Sequence, residues 1–183
     1  MTTDGLLFKP APSFDEPIEM LRACHERIRA QCATLEKLAA YLPSHGADAQ
    51  AQQAAANIMR YFDMAGPHHH ADEEQDLFPM LIEVGRTQRS MATEWIATLL
   101  DEHGTLDAEW ARLREVLADI AGGHARPLER LRVAGFVYAY RSHIAREETH
   151  VFPFAEACLS AQQLAQLSAA MVARRTVEVP SAR

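Results

Sequence analysis

Apolar side chains recur every three or four residues along four long segments of the chain, which is the pattern of helices that bury one face. The four stripes run from Ile18 to Leu42, from Ala55 to Met80, from Ile96 to Ile120 and from Val133 to Phe154. The connections between them are short, and short connections favour antiparallel neighbours. The pattern therefore predicts an all-α protein whose four long helices form an up-down-up-down bundle.

Proline and glycine residues set the expected helix ends. Pro43 and the SHGAD loop end the first helix, the second stops near Gly85, and a pair of glycines at 122–123 closes the third as a helix C-terminus requires. Gly66 and Pro67 fall inside the second stripe, where they predict a kink or a brief break in the helix.

The chain of 183 residues has the length of one domain with a sizeable core, and we expect a single domain over 1–183. The core bundle is expected to cover about 14–158. A short extra helix follows at about 159–173, and the tail at 174–183 is expected to be poorly ordered.

Composition and charge exclude several classes of function. The net charge of −7 disfavours a nucleic-acid partner, because such proteins need a basic surface to neutralise phosphates. The apolar stretches are too short to span a bilayer and the first residues lack a secretory signal, so we expect a cytoplasmic protein without a membrane partner. The three cysteines lack C-x-x-C spacing, which argues against a disulfide framework and against a thiolate zinc site.

Each of the four stripes carries one histidine at a core-facing position. These histidines are His25, His69, His103 and His143. A single histidine on an apolar face is more often a core residue than a ligand, but four on facing stripes indicate a common centre. Two of the helices add a carboxylate four residues later, at Glu73 and Glu147, and residues four apart share one helix face.

Two buried carboxylates need compensating cations, and no Lys or Arg occupies the stripe positions. Imidazoles and carboxylates without thiolates suit iron, manganese or zinc. Six ligands are too many for a structural zinc. They fit two metal ions, each held by two histidines and bridged by both glutamates, with positions left for a bridging oxygen and an exogenous molecule.

The two acid-bearing stretches are copies of one another. HHADEEQDLFP at 69–79 and HIAREETHVFP at 143–153 share His, Ala, Glu-Glu and Phe-Pro at matching positions. The chain therefore resembles two related helical hairpins facing each other across a pseudo-twofold axis. Adjacent helical residues point about 100° apart, so His68 and His70 are expected at the surface or as supporting partners of the ligands. Glu74 and Glu148 are expected to face outward for the same reason, and His150 is expected to face solvent.

These residues resemble the hemerythrin-like family of HHE cation-binding domains, whose motif is a lone His, then H-x-x-x-E-E-x-x-L/V-F-P, then the same order again. The resemblance covers about 18–154. It implies a four-helix bundle around a non-haem di-iron centre, with two iron ions joined by carboxylates and an oxo or hydroxo bridge; zinc or manganese would suit the same donors. The ligands carried over by motif are His25, His69, Glu73, His103, His143 and Glu147.

One position departs from the oxygen-carrying hemerythrins, which have a fifth histidine in an H-x-x-x-H pair on the third helix. Here Leu99 and Asp107 stand four residues before and after His103. Asp107 is either a substitute ligand, a hydrogen-bond partner of a ligating imidazole, or a polar residue at the edge of the stripe, and we favour the last. The departure argues against oxygen carriage.

Three functions fit these residues. The favoured one is a binding or sensing module for dioxygen, nitric oxide or redox state, with a protein partner or a homodimer to read its state. The second is an enzyme, either peroxidase-like or one that repairs iron centres. Beyond the ligands, however, Tyr140 is the only candidate redox or proton donor that the sequence offers, and a role in the core suits it better. The third is iron storage or buffering, but the Glu-x-x-His spacing of ferritin-like bundles occurs only once, from Glu147 to His150.

Overall fold

The computed structural model describes residues 13–88 and 91–176, and within these ranges the chain folds into five helices and no strand. Helix α1 is Pro17–His45, α3 is Ala92–Ala121 and α5 is Ala161–Thr176. Helices α2 (49–88) and α4 (130–158) are continuous but contain π-helical turns. Helix α1 packs against α2 and α4, and α3 packs against the same two, which confirms the predicted all-α bundle.

The π-helical turns of α2 and α4 come shortly before prolines. In α2 the α-helical pieces are Ala49–Arg60, Gly66–Asp72 and Phe78–Gln88, separated by the π turns Tyr61–Ala65 and Glu73–Leu77. In α4 the pieces are Arg130–Arg146 and Phe152–Cys158, separated by the π turn Glu147–Val151. Each π turn ends two residues before a proline, which lacks the N–H that an α-helical ladder requires. The distortion expected at Gly66 and Pro67 is thus a π turn rather than a break.

The ends of α1 and α3 follow glycines, whereas α2 runs to Gln88, past the expected end near Gly85. Helix α3 ends at Gly122, and Gly123 has a φ of 80° that favours glycine, as predicted. Helix α1 runs two residues past Pro43, because a missing N–H is tolerated in a last turn, and it ends at Gly46 with a φ of 65°.

Helix α5 is longer than expected. It runs to Thr176 and packs against α1 and α2, so Arg174 and Arg175 belong to the helix rather than to a poorly ordered tail. The rest of the expected tail, 177–183, lies outside the described residues. Among the described helices, none combines the length and the apolar content needed to cross a bilayer.

The core consists of two apolar clusters with a polar layer between them. One cluster includes Ile28, Phe62 and Leu106, and the other includes Leu21 and Leu99. On every long helix the proposed ligands lie between residues of one cluster and residues of the other. The polar layer is therefore closed off along the bundle axis by apolar side chains.

Candidate metal centre

All six predicted ligands lie in the polar layer and are almost fully buried. None exposes more than 2% of its surface, and the structure brings them into one cluster of His25, His69, Glu73, His103, His143 and Glu147. Helix α1 contributes one histidine and α3 contributes one, while α2 and α4 each contribute a His-x-x-x-Glu pair. The first glutamate of each pair is also the first residue of a π turn.

Glu147 reaches both halves of the cluster with its two oxygens. Its Oε2 lies 3.0 Å from Nε2 of His25, and its Oε1 lies 3.1 Å from Nε2 of His143. One carboxylate therefore faces one imidazole on each side, which is the arrangement of a bridging ligand.

Glu73 has the same arrangement across the pseudo-twofold axis. Its Oε1 lies 3.5 Å from Nε2 of His69, and its Oε2 lies 3.6 Å from Nε2 of His103. The donors thus form two overlapping groups, each with its donor atoms within 4.8 Å of one another. The first cation position has His25, His69, Glu73 and Glu147, and the second cation position has Glu73, His103, His143 and Glu147.

Most of these donor atoms have no hydrogen-bond partner within the described residues. The unpartnered atoms include Nε2 of His25 and of His69 and all four carboxylate oxygens of Glu73 and Glu147. Even the 3.0 Å pair of His25 and Glu147 lacks hydrogen-bond geometry. Each unsatisfied buried polar atom costs about 1–3 kcal/mol, and more if charged. Cations bound between these donors would remove that cost, so the donor set fits a pair of metal ions.

Electrostatics in the chain alone support the same conclusion. Burial and the charge of Glu147 raise the pKa of Glu73 well above its usual value. Burial is the largest single effect on Glu147 and raises its pKa, but the combined interactions with His143 and His25 outweigh burial and lower the pKa well below its usual value. Burial lowers the pKa of His69 strongly and that of His103 to about 4. Both of these imidazoles are therefore neutral at pH 7, which is the form that binds metals.

Three of the four histidines are oriented by carboxylates behind them. Nδ1 of His103 lies 2.6 Å from Oε1 of Glu74, and Nδ1 of His25 lies 2.9 Å from Oε1 of Glu148. Nδ1 of His143 lies 3.0 Å from Oε2 of Glu102. A carboxylate at Nδ1 favours the proton on that nitrogen and leaves the Nε2 lone pair directed at the cation positions.

The positions of Glu74 and Glu148 partly correct the sequence prediction that they face outward. Their side chains are 40% and 28% exposed, yet both carboxylates turn back to an imidazole on a neighbouring helix. Helical spacing gives the direction of Cβ but not the reach of a long side chain. Glu102, the residue before His103, was not identified from the sequence.

His70 is not at the surface; of the two placements expected for it, the supporting position beside a proposed ligand is the one observed. It is 6% exposed, and its ring stacks on that of His103 with centroids 4.0 Å apart and planes 10° apart. Helix α2 packs against α1, α3 and α5, so it buries a wider arc than one stripe and residues 100° apart are both inside. Burial lowers the pKa of His70 to about 3. The neighbouring His68 is half-buried and thus closer to the surface than His70.

The two residues left open by the sequence lie outside both donor groups. The Asp107 side chain is 72% exposed and its Oδ1 lies 3.8 Å from Nδ1 of His70, so it lies at the edge of the stripe as favoured. Tyr140 is buried in an apolar cluster and packs edge-on against Phe136. His150 is exposed and stacks on Trp95.

Asp72 is a buried charge that the sequence analysis missed. It is 0% exposed, one residue before Glu73, and it contacts both Arg174 and Arg175 of α5. Arg174 also donates to Asp76 at 2.6 Å. Helix α5 therefore supplies the positive charge that keeps Asp72 in the interior next to the first cation position.

Comparison with known proteins agrees with this geometry. Residues 16–155 match the family model of the hemerythrin HHE cation binding domain. The chain is also 35% identical over 167 residues to an uncharacterized protein of Haemophilus influenzae, a match that covers 91% of this chain and 94% of that protein. All six ligands predicted from the motif lie inside the range that matches the family model.

Proposed function

Because this chain belongs to the hemerythrin HHE cation-binding family, we propose that it is a non-haem di-iron protein that binds or senses dioxygen, nitric oxide or redox state. The observation that carries the proposal is the position of the two glutamates, each of which directs one oxygen to each cation position. Two imidazoles and two bridging carboxylates per ion leave a first-row metal with room for further ligands.

Iron fits this donor set better than a purely structural metal. A structural zinc site is closed by four ligands, most often with thiolates, whereas the described donors are six imidazoles and carboxylates shared between two positions. Zinc and manganese suit the same atoms and are the competing occupants. When bound, the iron pair supplies reversible redox change and positions for a small diatomic ligand.

The protein groups have separate tasks around the cations. Glu74, Glu102 and Glu148 hold protons on the Nδ1 atoms of their histidines, which fixes the tautomer and the ring orientation. The apolar clusters exclude bulk water along the bundle axis. Tyr140, the candidate redox or proton donor read from the sequence, lies in an apolar cluster outside both donor groups, and this supports sensing rather than peroxidase-like or repair chemistry.

The test uses anaerobic protein loaded with ferrous iron and titrated with dioxygen and with nitric oxide under optical and Mössbauer observation. Reversible binding with two irons per chain is the expected result. Rapid irreversible oxidation with consumption of peroxide would replace the sensing function by an enzymatic one. Failure to retain iron while zinc or manganese binds in two equivalents would assign another metal to the same donors.

A further inference from the structure

His70 is a buried polar residue that the six-ligand centre does not use. Its Nε2 has no hydrogen-bond partner within the described residues, and the side chain is nearly fully enclosed. One ring nitrogen each of His70, His103 and His143 lie within 4.8 Å of one another, so His70 borders the second cation position and not the first. A buried imidazole with an unpartnered nitrogen beside a metal position points to a ligand that the chain itself does not supply.

The stacking geometry excludes the simplest role, direct ligation together with His103. The two rings are parallel within 10° and their centroids are 4.0 Å apart. An imidazole nitrogen binds a cation along its lone pair, which lies in the ring plane. A cation in the plane of His103 is therefore out of the plane of His70, and His70 stands over one face of the second cation position.

Asp107 influences which of the two ring nitrogens of His70 carries the proton. Its carboxylate lies 3.8 Å from Nδ1 of His70 and is mostly exposed. At 3.8 Å the contact is longer than a hydrogen bond, and the negative charge favours the proton on Nδ1 by electrostatic attraction alone. Nε2 of His70, the buried ring nitrogen, then carries the lone pair and acts as a hydrogen-bond acceptor.

We propose that His70 is a binding residue for the exogenous molecule at the second cation position, where its Nε2 accepts a hydrogen bond from a small molecule that carries a proton. Hydrogen peroxide and water belong to this class. Nitric oxide and azide bring no proton and gain nothing from an acceptor. This inference rests on the proposed dinuclear centre and adds a ligand preference to it: the second cation position selects protonated small molecules.

The test compares His70→Leu, which removes the acceptor, with His70→Gln, whose amide oxygen restores an acceptor near the position of Nε2. His68→Leu, at the half-buried neighbouring histidine, is the matched control. Diferric protein is mixed with hydrogen peroxide in a stopped-flow instrument and titrated with azide. The apparent dissociation constant for peroxide is expected to rise about three- to tenfold in His70→Leu, the usual effect of one hydrogen bond, and to recover in His70→Gln. Azide affinity stays within about twofold in all three variants.

Equal weakening of peroxide and azide in His70→Leu would overturn the acceptor role, as would an unchanged peroxide affinity. Nitrogen-15 imidazole spectra of zinc-loaded protein separate His70 from the ligands, because metal-bound nitrogens shift. Four metal-bound imidazoles per chain are expected in wild type and in His70→Leu. A fifth, lost in His70→Leu, would show that His70 is a ligand and would overturn the proposal. Fewer than two zinc ions in wild type would instead contradict the dinuclear centre itself.

Discussion

Oε1 of Glu74 on α2 lies 2.6 Å from Nδ1 of His103 on α3, and the pseudo-twofold axis repeats this contact between Glu148 on α4 and His25 on α1 at 2.9 Å. In each repeat the glutamate that follows the bridging glutamate thus supports a histidine of the neighbouring helix. In each Glu-Glu pair the second residue therefore orients an imidazole, while the first lies between the two donor groups and is the one proposed to bridge cations.

This relationship predicts that the two outer glutamates affect different cation positions. Glu74→Ala should weaken metal binding at the second position by about 10- to 100-fold, and Glu148→Ala should do the same at the first, because each removes the partner of one ligating imidazole. Stepwise metal titration by calorimetry measures both affinities. Glu115→Ala, at an exposed position of α3, is the control. Equal loss at both positions in either variant would contradict the pairing.

The bridging glutamates should matter more than the outer ones. Glu73→Ala or Glu147→Ala removes a donor from both cation positions at once, so metal occupancy should fall further than in Glu74→Ala or Glu148→Ala. Elemental analysis after loading and desalting measures the occupancy. Equal occupancy in the bridging and the outer variants would mean that Glu73 and Glu147 do not coordinate.

Metal removal should destabilise the fold at neutral pH. Without cations the bundle buries unpartnered imidazole and carboxylate atoms, whereas metal binding is coupled to folding through these same groups. Chelation should lower the melting temperature of wild type clearly. Glu73→Gln, which removes one buried acid, should melt at or above metal-free wild type, because an acid whose pKa is raised by burial destabilises the fold at neutral pH. A metal-free form as stable as the loaded one would contradict this coupling.

Because α5 contacts Asp72, substitutions in α5 are expected to lower the unfolding free energy strongly, although α5 lies about 100 residues further along the chain. Arg174→Ala combined with Arg175→Ala leaves Asp72 buried without its partners, which should cost about 3–5 kcal/mol of unfolding free energy. Arg141→Ala removes an exposed ion pair with Glu36 and should cost only about 0–1 kcal/mol. Urea unfolding of metal-loaded protein measures both. A small effect of the double variant would show that Asp72 is solvated or protonated.

Because the pKa of His70 is low in the folded chain, the unfolding free energy should decrease as the pH falls. Burial holds the pKa at about 3 in the folded chain, while the unfolded chain binds a proton near 6.5. The neutral form therefore contributes stability above about pH 6.5, and this contribution is lost as pH falls towards 3. Metal-free wild type should lose unfolding free energy relative to His70→Leu over this window, by at most about 1.4 kcal/mol per pH unit. A constant difference between pH 7 and pH 4 would contradict the burial of His70.

The sequence was sufficient for the bundle and for bringing six candidate donors into one buried layer, because both follow from local rules. The 3-4 spacing identifies the buried faces, and the repeat at 69–79 and 143–153 marks the same ligands twice. What the sequence did not predict depends on how neighbouring helices cover each other. His70 is inside because α3 covers that side of α2, and Asp72 is inside because α5 brings two arginines to the other side.

The helical pattern also could not predict where long side chains place their carboxylates. Glu74, Glu102 and Glu148 are each partly exposed, yet each carboxylate reaches an imidazole on another helix. The π turns were anticipated only as a distortion near Pro67, although prolines also follow the other two. A proline two residues beyond a Glu-Glu-x-x-apolar segment is a signal that could have located them.

Glu73 and Glu147 are proposed to bridge two cations within one chain. The most direct test of this bridging is Mössbauer and electron paramagnetic resonance spectroscopy of iron-57 protein, oxidised to the diferric state after loading and quantified for iron. Two irons per chain are expected, with spins coupled through the bridges, so that the diferric form gives no resonance from isolated high-spin iron. One iron per chain, or two that behave as isolated ferric ions in wild type, would contradict the bridging.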